Sequence, residues 1–195
     1  MSIFTEQEFR NIASQKAGLS GLRGVVNESR TFSKSASTTS LFLSHSHHDK
    51  AKIEQAKIFF ETLGISIYVD WADETMPENT NGITALRIKD QIINKNDKFI
   101  LLATNNAVAS KWCNWEVGIA DTFKLSKDKI AILPLADNNR HWSGNEYLQI
   151  YPSIEFENGT NQNNLGSYIT KGYYIFYPSI NGSRRFENLE TWLRK

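Results

Sequence analysis

The sequence predicts an α/β fold in which a parallel β-sheet is flanked by helices on both faces. Short apolar runs alternate with helical stretches of about a dozen residues, which is typical of parallel strands joined by helices. The first of these runs, residues 41–43, is unbroken and lacks the polar–apolar alternation of a half-exposed strand, which indicates burial on both faces. The predicted strands are residues 41–43, 65–69, 98–103, 129–135 and 173–177.

The N-terminal segment has a different pattern from the rest of the chain. Residues 5–17 predict a short helix with Phe9, Ile12 and Ala13 on one side. This apolar stripe is narrow, so the helix needs a partner surface. Residues 18–40 are rich in Gly, Ser and Thr, as expected of a linker.

Three longer helices are predicted between the strands because apolar residues recur there at spacings of three and four. The first follows Asp49 and ends near Gly64, the second spans 83–95, and the third begins near Ser110. Their apolar positions are Ile53, Ala56, Phe60 and Leu63, then Ala85, Ile88 and Ile92, then Trp115, Ile119 and Phe123. Pro134 indicates the end of its strand or an edge position, because proline cannot donate to a sheet.

These patterns divide the chain into two parts. Residues 1–38 are an N-terminal helical extension with its linker, and residues 39–195 are the main domain. The core of that domain is 39–136, and 137–195 is less regular and elaborated. A short closing helix is predicted over 186–193.

Composition excludes several classes of protein. Lysine and arginine number 22 and aspartate and glutamate 21, so the net charge of +1 offers no general field for nucleic acid or an anionic membrane. The longest apolar run is far shorter than the ~20 residues of a membrane helix, and the N-terminus does not resemble a secretory signal. One cysteine permits no intrachain disulfide. We expect a cytoplasmic protein without nucleic-acid or membrane partners.

Candidate binding residues concentrate in the loops that follow the strands, where open parallel sheets bind ligands. They are Ser44, His45, Ser46, Asp70 and Trp71. His45, His47 and His48 lie in one loop with Asp49 and suggest zinc, but no fourth ligand follows at helical spacing, and the adjacent His47 and His48 rarely both reach one ion. We therefore predict no metal site. Contacts to phosphate, or a helix N-cap formed by Ser46 or Asp49, fit this loop better.

The segment SKWCNWE, residues 110–116, carries the strongest chemical signal. Trp112 and Glu116 are four apart and share one face of a helix. An indole beside a carboxylate can stack on a ring and hold a sugar. The alternative is that Trp112 belongs to the core and Glu116 is a first-turn acid favoured by the helix dipole. We interpret Cys113 as a small buried apolar residue rather than a nucleophile.

Three segments in order resemble a Toll/interleukin receptor (TIR) domain: LFLSHS at 41–46, YVDW at 68–71 and SKWCNWE at 110–116. The resemblance implies a flavodoxin-like sheet and, as in the NAD-cleaving members, a catalytic role for Glu116 with Trp112 as the neighbouring ring. The family's second loop usually carries Arg-Asp and Pro-Gly, whereas here Pro77 and Gly82 are apart. A stand-alone TIR domain resembles the bacterial ones, several of which act in Thoeris-type anti-phage defence.

The resemblance predicts cleavage of the nicotinamide–ribose bond of NAD by hydrolysis or cyclisation to an ADP-ribose-derived signal. NAD is then a substrate and no cofactor is expected. The predicted partners are other TIR domains, through self-association, and a separate effector protein that senses the product. Two alternatives stay open: a non-enzymatic TIR–TIR adaptor, and an N-glycosidase similar to nucleoside deoxyribosyltransferases.

Overall fold

The structure, a computed structural model, describes residues 3–16, 18, 39–70, 81–163, 165–179 and 185–195. The strands of this part of the chain are β1 (Phe4–Thr5), β2 (Ser40–Ser44), β3 (Ser66–Tyr68), β4 (Lys98–Ala103), β5 (Ile130–Ala136), β6 (Ser153–Glu157), β7 (Gly172–Phe176) and β8 (Phe186–Asn188). Its α-helices are α1 (Glu6–Lys16), α2 (Lys50–Glu61), α3 (Gly82–Asp90), α4 (Asn105–Ala109), α5 (Lys111–Lys124) and α6 (Leu189–Leu193).

The described strands form one sheet in the order β3-β2-β4-β5-β6-β7-β8, with β1 also paired to β5. Every pair from β3 to β6 is parallel, and β7 and β8 are antiparallel to their neighbours. The prediction of an α/β fold with a mostly parallel sheet is confirmed. Strands β2, β4 and β5 are buried along their whole length, as the sequence predicted for β2.

Helices cover both faces of the sheet. On one face, Phe9 of α1, Phe59 of α2 and Trp192 of α6 pack with side chains of β2, β4 and β5. On the other face, Ile88 of α3 and Val117 of α5 pack with the opposite side chains of the same strands. Each strand thus has apolar neighbours above and below, which favours the parallel arrangement.

The N-terminal segment packs on the sheet. Phe4 and Thr5 pair in parallel with Leu135 and Ala136 of β5. The ring of Phe9 lies 5.6 Å from that of Phe59, so helix α1 finds its partner surface on α2. The division of the chain at residue 38 stays a prediction, and the linker at 19–38 lies outside the described residues.

The expectation that Pro134 marks a strand end or an edge is wrong as to the edge, because β5 lies between β4 and β6. Pro134 lies between the residue pair that β5 forms with β6, at Ile132, and the pairs that it forms with β1, at Leu135 and Ala136. The partner strand changes at this point, so the missing N–H interrupts no continuous ladder.

Two elements of the C-terminal part differ from the sequence prediction. Residues 153–157, expected to be irregular, form β6, and a helix predicted over 186–193 begins only at Leu189. The first three residues of that stretch form β8 because they pair with β7, with Asn188 opposite Tyr174. Asn188 then accepts hydrogen bonds from the N–H groups of Glu190 and Thr191 and caps helix α6.

None of the helices in the described part of the chain is long and apolar enough to cross a membrane.

Candidate functional site

The candidate site lies at the edge of the sheet where the parallel strands end. Ser44 is the last residue of β2, and Asp70 follows β3 after one residue. Helix α5 begins beyond the end of β4. Because β2, β3 and β4 are parallel neighbours, these three points come together at one edge.

The start of helix α5 sets the direction of Trp112 and Glu116. Ser110 is the N-cap, and its Oγ accepts a hydrogen bond from the N–H of Cys113 at 3.3 Å. The cap fixes the first turn, so the side chains four residues apart face the same way. The short helix α4, which the sequence analysis did not predict, precedes this turn and is capped by Thr104.

Glu116 is a buried carboxyl group at the centre of the site, with 2% of its surface exposed. The Oγ of Ser44 donates a hydrogen bond to its Oε2 at 2.5 Å. Burial raises the pKa of Glu116 to about 8, and the charge of Asp70 adds to this, against the hydrogen bond from Ser44 and the indole of Trp112, which lower it. A carboxyl with this pKa changes charge near neutral pH, which is a property of catalytic groups.

His45 and Asp70 form a pair beside Glu116. Nδ1 of His45 lies 2.7 Å from the carbonyl oxygen of Leu43, and Nε2 lies 3.3 Å from Oδ1 of Asp70. The His45 side chain is 4% exposed and that of Asp70 is 30% exposed. The ring is therefore held inside the fold, while the Asp70 side chain is partly exposed at the surface.

Trp112 is half-buried and packs against the core on the α5 face of the sheet. Its ring lies 5.0 Å from that of Trp115, which is more exposed. The indole of Trp112 also lies close enough to the carboxyl of Glu116 to lower its pKa. Trp112 is thus both a partly buried core residue and a ring beside Glu116, as the two interpretations of the sequence proposed. Trp71, another predicted binding residue, lies outside the described residues.

Ser46 has a structural contact. It is the N-cap of the short 3₁₀ turn His47–Asp49, and its Oγ accepts a hydrogen bond from the N–H of His48 at 3.4 Å. Of the two caps that the sequence suggested, Ser46 is therefore the one that forms. Asp49 makes no capping hydrogen bond at the start of α2.

Asp49 instead anchors the loop that carries the histidines, a role that the sequence analysis missed. Its buried carboxylate accepts hydrogen bonds from Thr104 Oγ1 at 2.6 Å, Lys52 Nζ at 2.7 Å and Asn106 Nδ2 at 3.0 Å. Lys52 also binds Glu6 of α1 at 2.8 Å. Asp49 thereby joins the ends of β2 and β4 beneath the site. Of these contacts, only the one between Asp49 and Lys52 could be expected from the sequence, because the two residues are three apart at the start of a predicted helix.

The thiol of Cys113 is buried, as the sequence analysis expected. Burial, together with the charge of Glu116, raises its pKa to about 12, so the sulfur keeps its proton. Among the described residues, no group of three or more His, Cys, Asp or Glu side chains is placed to hold a metal ion.

The comparison with known proteins identifies the family. A family model described as the TIR domain matches residues 41–166. This chain belongs to the TIR domain family. The matched range contains Ser44, His45, Asp70, Trp112 and Glu116, and the family predicted from the three sequence segments is confirmed.

A bacterial relative gives the family a chemical context. The chain is 33% identical over 118 residues to a Bacillus cereus (strain MSX-D12) protein described as "Probable 3' cyclic ADP-D-ribose synthase ThsB'". The match covers 58% of this chain and 59% of the relative, so the chain spans less than two thirds of that protein's length.

Substitutions of Trp112 distinguish a packing role of its ring from a role in NAD cleavage. We expect Trp112→Ala to lower the free energy of unfolding by about 2 kcal/mol, because a half-buried ring leaves a smaller cavity than a core one. It should also lower the rate of NAD cleavage. Trp112→Phe keeps a stacking face and should retain more of both. Thermal melts and initial rates of the two variants test this. Rates that follow only the fraction of folded protein would show that Trp112 has a packing role alone.

Proposed function

We propose that this chain cleaves the nicotinamide–ribose bond of NAD and closes the remaining ADP-ribose into a cyclic product. The observation that carries the proposal is Glu116, a buried carboxyl at the strand-end edge with Ser44 and Trp112 against it. Membership in the TIR domain family and the likeness to a protein described as a cyclic ADP-ribose synthase support it. The other residues proposed to line the NAD site are His45, Ser46, Asp70 and Trp71.

The chemistry needs few protein groups. The bond between the ribose anomeric carbon and the pyridinium nitrogen breaks, and its electron pair neutralises the ring, so nicotinamide leaves without a general acid. The sugar passes through a cation-like transition state that a nearby carboxylate stabilises. A hydroxyl oxygen of the same molecule then bonds to the anomeric carbon and loses its proton. Glu116 is suited to accept that proton because its pKa is close to neutrality. We propose that no cofactor takes part beside the substrate NAD.

The raised pKa of Glu116 fits a cationic substrate. In the free protein the carboxyl is mostly protonated below pH 8. A pyridinium ring placed against it favours the charged form, as an opposite charge always does at short range. Binding of NAD thus generates the carboxylate that the transition state requires.

Incubation with NAD followed by chromatography and mass spectrometry tests the proposal. We expect nicotinamide and a cyclic ADP-ribose whose mass is lower than that of linear ADP-ribose by one water. Linear ADP-ribose alone would correct the product from cyclisation to hydrolysis. Transfer of deoxyribose between nucleobases, with NAD intact, would favour the nucleoside deoxyribosyltransferase alternative. No turnover of either substrate by the assembled protein would favour an adaptor.

The pH dependence of NAD cleavage follows from Glu116. The value of kcat/KM reports groups of the free enzyme, so it should rise with pH up to about 8 and level off above it. The corresponding limb of kcat should lie at lower pH, because bound NAD favours the carboxylate. Initial rates across this range test both statements. Two limbs at the same pH would contradict a carboxyl that loses its proton on binding NAD.

We further propose that the protein works in the cytoplasm in anti-phage defence, associates with itself through TIR–TIR contacts and supplies a separate effector protein with its product.

Self-association is supported by Ile83 and Leu86 of α3, which are 57% and 69% exposed. Specific activity should rise with protein concentration, and Leu86→Lys should weaken that rise. Leu165→Lys is a matched control, since Leu165 is 90% exposed and lies between β6 and β7, outside helix α3. Specific activity independent of concentration would contradict the proposal.

A further inference from the structure

Trp142 ties the loop that follows β5 to the end of β4. Its indole Nε1 donates a hydrogen bond to the carbonyl oxygen of Ala103, the last residue of β4, at 2.6 Å. The half-buried ring also packs against the apolar cluster that contains Val108 of α4 and Val117 of α5. One side chain thus contacts both the strand end and the core beneath the two helices that follow it.

Gly144 leaves the space that this ring occupies. A Cβ atom at position 144 would lie 2.3 Å from Cη2 of Trp142 and 2.4 Å from Cζ3, well inside contact distance. The three atoms nearest to that Cβ all belong to the ring, and Gly144 does not have a positive φ, so its backbone would accept an alanine. An alanine here must therefore push the ring away from its place at Ala103.

Residues 141–147 form a strap that is fastened to helix α4 near both of its ends. Asn105, the first residue of α4, accepts hydrogen bonds on Oδ1 from the N–H and the Oγ of Ser143, at 2.9 and 3.1 Å. Near the other end, Nδ2 of Asn145 donates to the carbonyl oxygen of Val108 at 3.3 Å. The position of the short helix therefore depends on the strap.

The strap also reaches the first turn of helix α5, which carries Trp112 and Glu116. The hydroxyl of Tyr147 donates a hydrogen bond to Oδ1 of Asn114 at 2.5 Å. Nδ2 of Asn114 in turn donates to the carbonyl oxygen of Val108 at 3.3 Å, the same oxygen that the strap binds. Because Asn114 lies two residues before Glu116, a shift of the strap also shifts the part of the helix from which Glu116 extends.

We propose that the strap is a positioning element of the candidate active site, with Trp142 as its anchor: it holds the turn between α4 and α5 so that Glu116 faces Ser44 and the reacting sugar of NAD. The inference rests on the proposed cleavage of NAD. Stabilisation of a sugar cation depends on the distance and direction of the carboxylate, so a small displacement of α5 slows the chemical step. Trp142 is a positioning residue rather than a catalytic one, because it acts on the site through α4 and α5.

Two unlike substitutions should produce the same defect. Gly144→Ala keeps Trp142 but displaces its ring, and Trp142→Ala removes the ring. Each should lower kcat about tenfold, with a smaller change in KM, at a temperature where the variant is folded. Trp142→Phe keeps a ring without the donor and serves if the alanine does not fold; its kcat should also fall, by less. Gly118→Ala in α5 is the matched control, because a Cβ there meets nothing within 4 Å. It should leave kcat unchanged.

The double variant tests whether Gly144 acts through the ring. In the Trp142→Ala background, Gly144→Ala should cause no further loss, since the ring that obstructs the new methyl group is gone. Equal losses from Gly144→Ala in both backgrounds would overturn the proposal. A rise in KM with kcat unchanged in Trp142→Ala would also overturn it and indicate direct contact with NAD. So would rates that follow only the fraction of folded protein in thermal melts.

Hydrogen–deuterium exchange without NAD separates this inference from the proposed function. Gly144→Ala and Trp142→Ala should both speed the exchange of backbone amides in residues 105–116 and leave that of helix α2 unchanged. This result would support the positioning role of the strap even if NAD were not cleaved. Unchanged exchange over 105–116 in both variants would overturn the inference alone and leave the proposed cleavage of NAD standing.

Discussion

Glu116→Gln is expected to reduce NAD cleavage by at least about 10²–10³-fold, the loss typical of removing one electrostatic stabiliser of a transition state. The amide keeps the volume of the side chain and an oxygen that accepts the hydrogen bond of Ser44. It cannot carry the negative charge that opposes the developing sugar cation. Release of nicotinamide from NAD measures the effect.

The same variant should fold at least as well as the original protein. The pKa of Glu116 is raised to about 8 in the folded state, so the unfolded chain binds fewer protons between the ordinary glutamate value and 8. Stability therefore falls as pH rises through that window. Glutamine does not titrate, so Glu116→Gln does not lose stability in this window. The difference in melting temperature between the variant and the original protein should therefore increase up to about pH 8. Glu146→Gln, an exposed residue, is the control. Activity within a few-fold of the original, with an intact melt, would refute a catalytic Glu116.

Asp49→Ala is expected to lower the free energy of unfolding by about 3 kcal/mol, because it removes a buried carboxylate that accepts hydrogen bonds from three donors. Thr104 and Asn106 lose their shared acceptor, and Lys52 keeps only Glu6. Urea denaturation measures the change. The matched control is Glu6→Ala, which removes the other partner of Lys52 from a more exposed position. It should cost less than about 1 kcal/mol.

The Asp49 variant should also affect catalysis at temperatures where it is folded. The residues after β2 that the carboxylate anchors lead directly from Ser44 and His45, so a looser loop places both less accurately. We expect a fall in kcat/KM for Asp49→Ala and none for Glu6→Ala. Equal losses of stability in the two variants would mean that Lys52, rather than Asp49, holds this part of the fold.

The sequence was informative wherever local periodicity decides the structure. The apolar runs of β2, β4 and β5 predicted parallel strands, and the spacing of Trp112 and Glu116 predicted a shared helix face. Strand β6 was missed although Ile154 and Phe156 alternate with polar residues, because the segment is short and lies in a stretch without regular periodicity. In the structure Glu157 is buried and its carboxylate accepts hydrogen bonds from the N–H groups of Gly159 and Thr160.

The rest depends on contacts between distant positions. Ser44 and Glu116 are 72 residues apart, and Asp49 and Thr104 are 55 apart. No spacing rule joins them until the order of the strands is known. The first residues of the predicted closing helix became a strand for the same reason, since β7 supplies hydrogen bonds that outweigh local helix preference.

The pairing of Phe4 and Thr5 with β5 has a consequence for solubility. Beyond Ile132, β5 has no further residue pair with β6, and β1 occupies the following positions at Leu135 and Ala136. Without β1, backbone N–H and C=O groups of an apolar strand would be open to a strand from another molecule, the usual start of edge-to-edge aggregation. The N-terminal segment thus covers this part of β5 and should lower the tendency of the protein to aggregate through it.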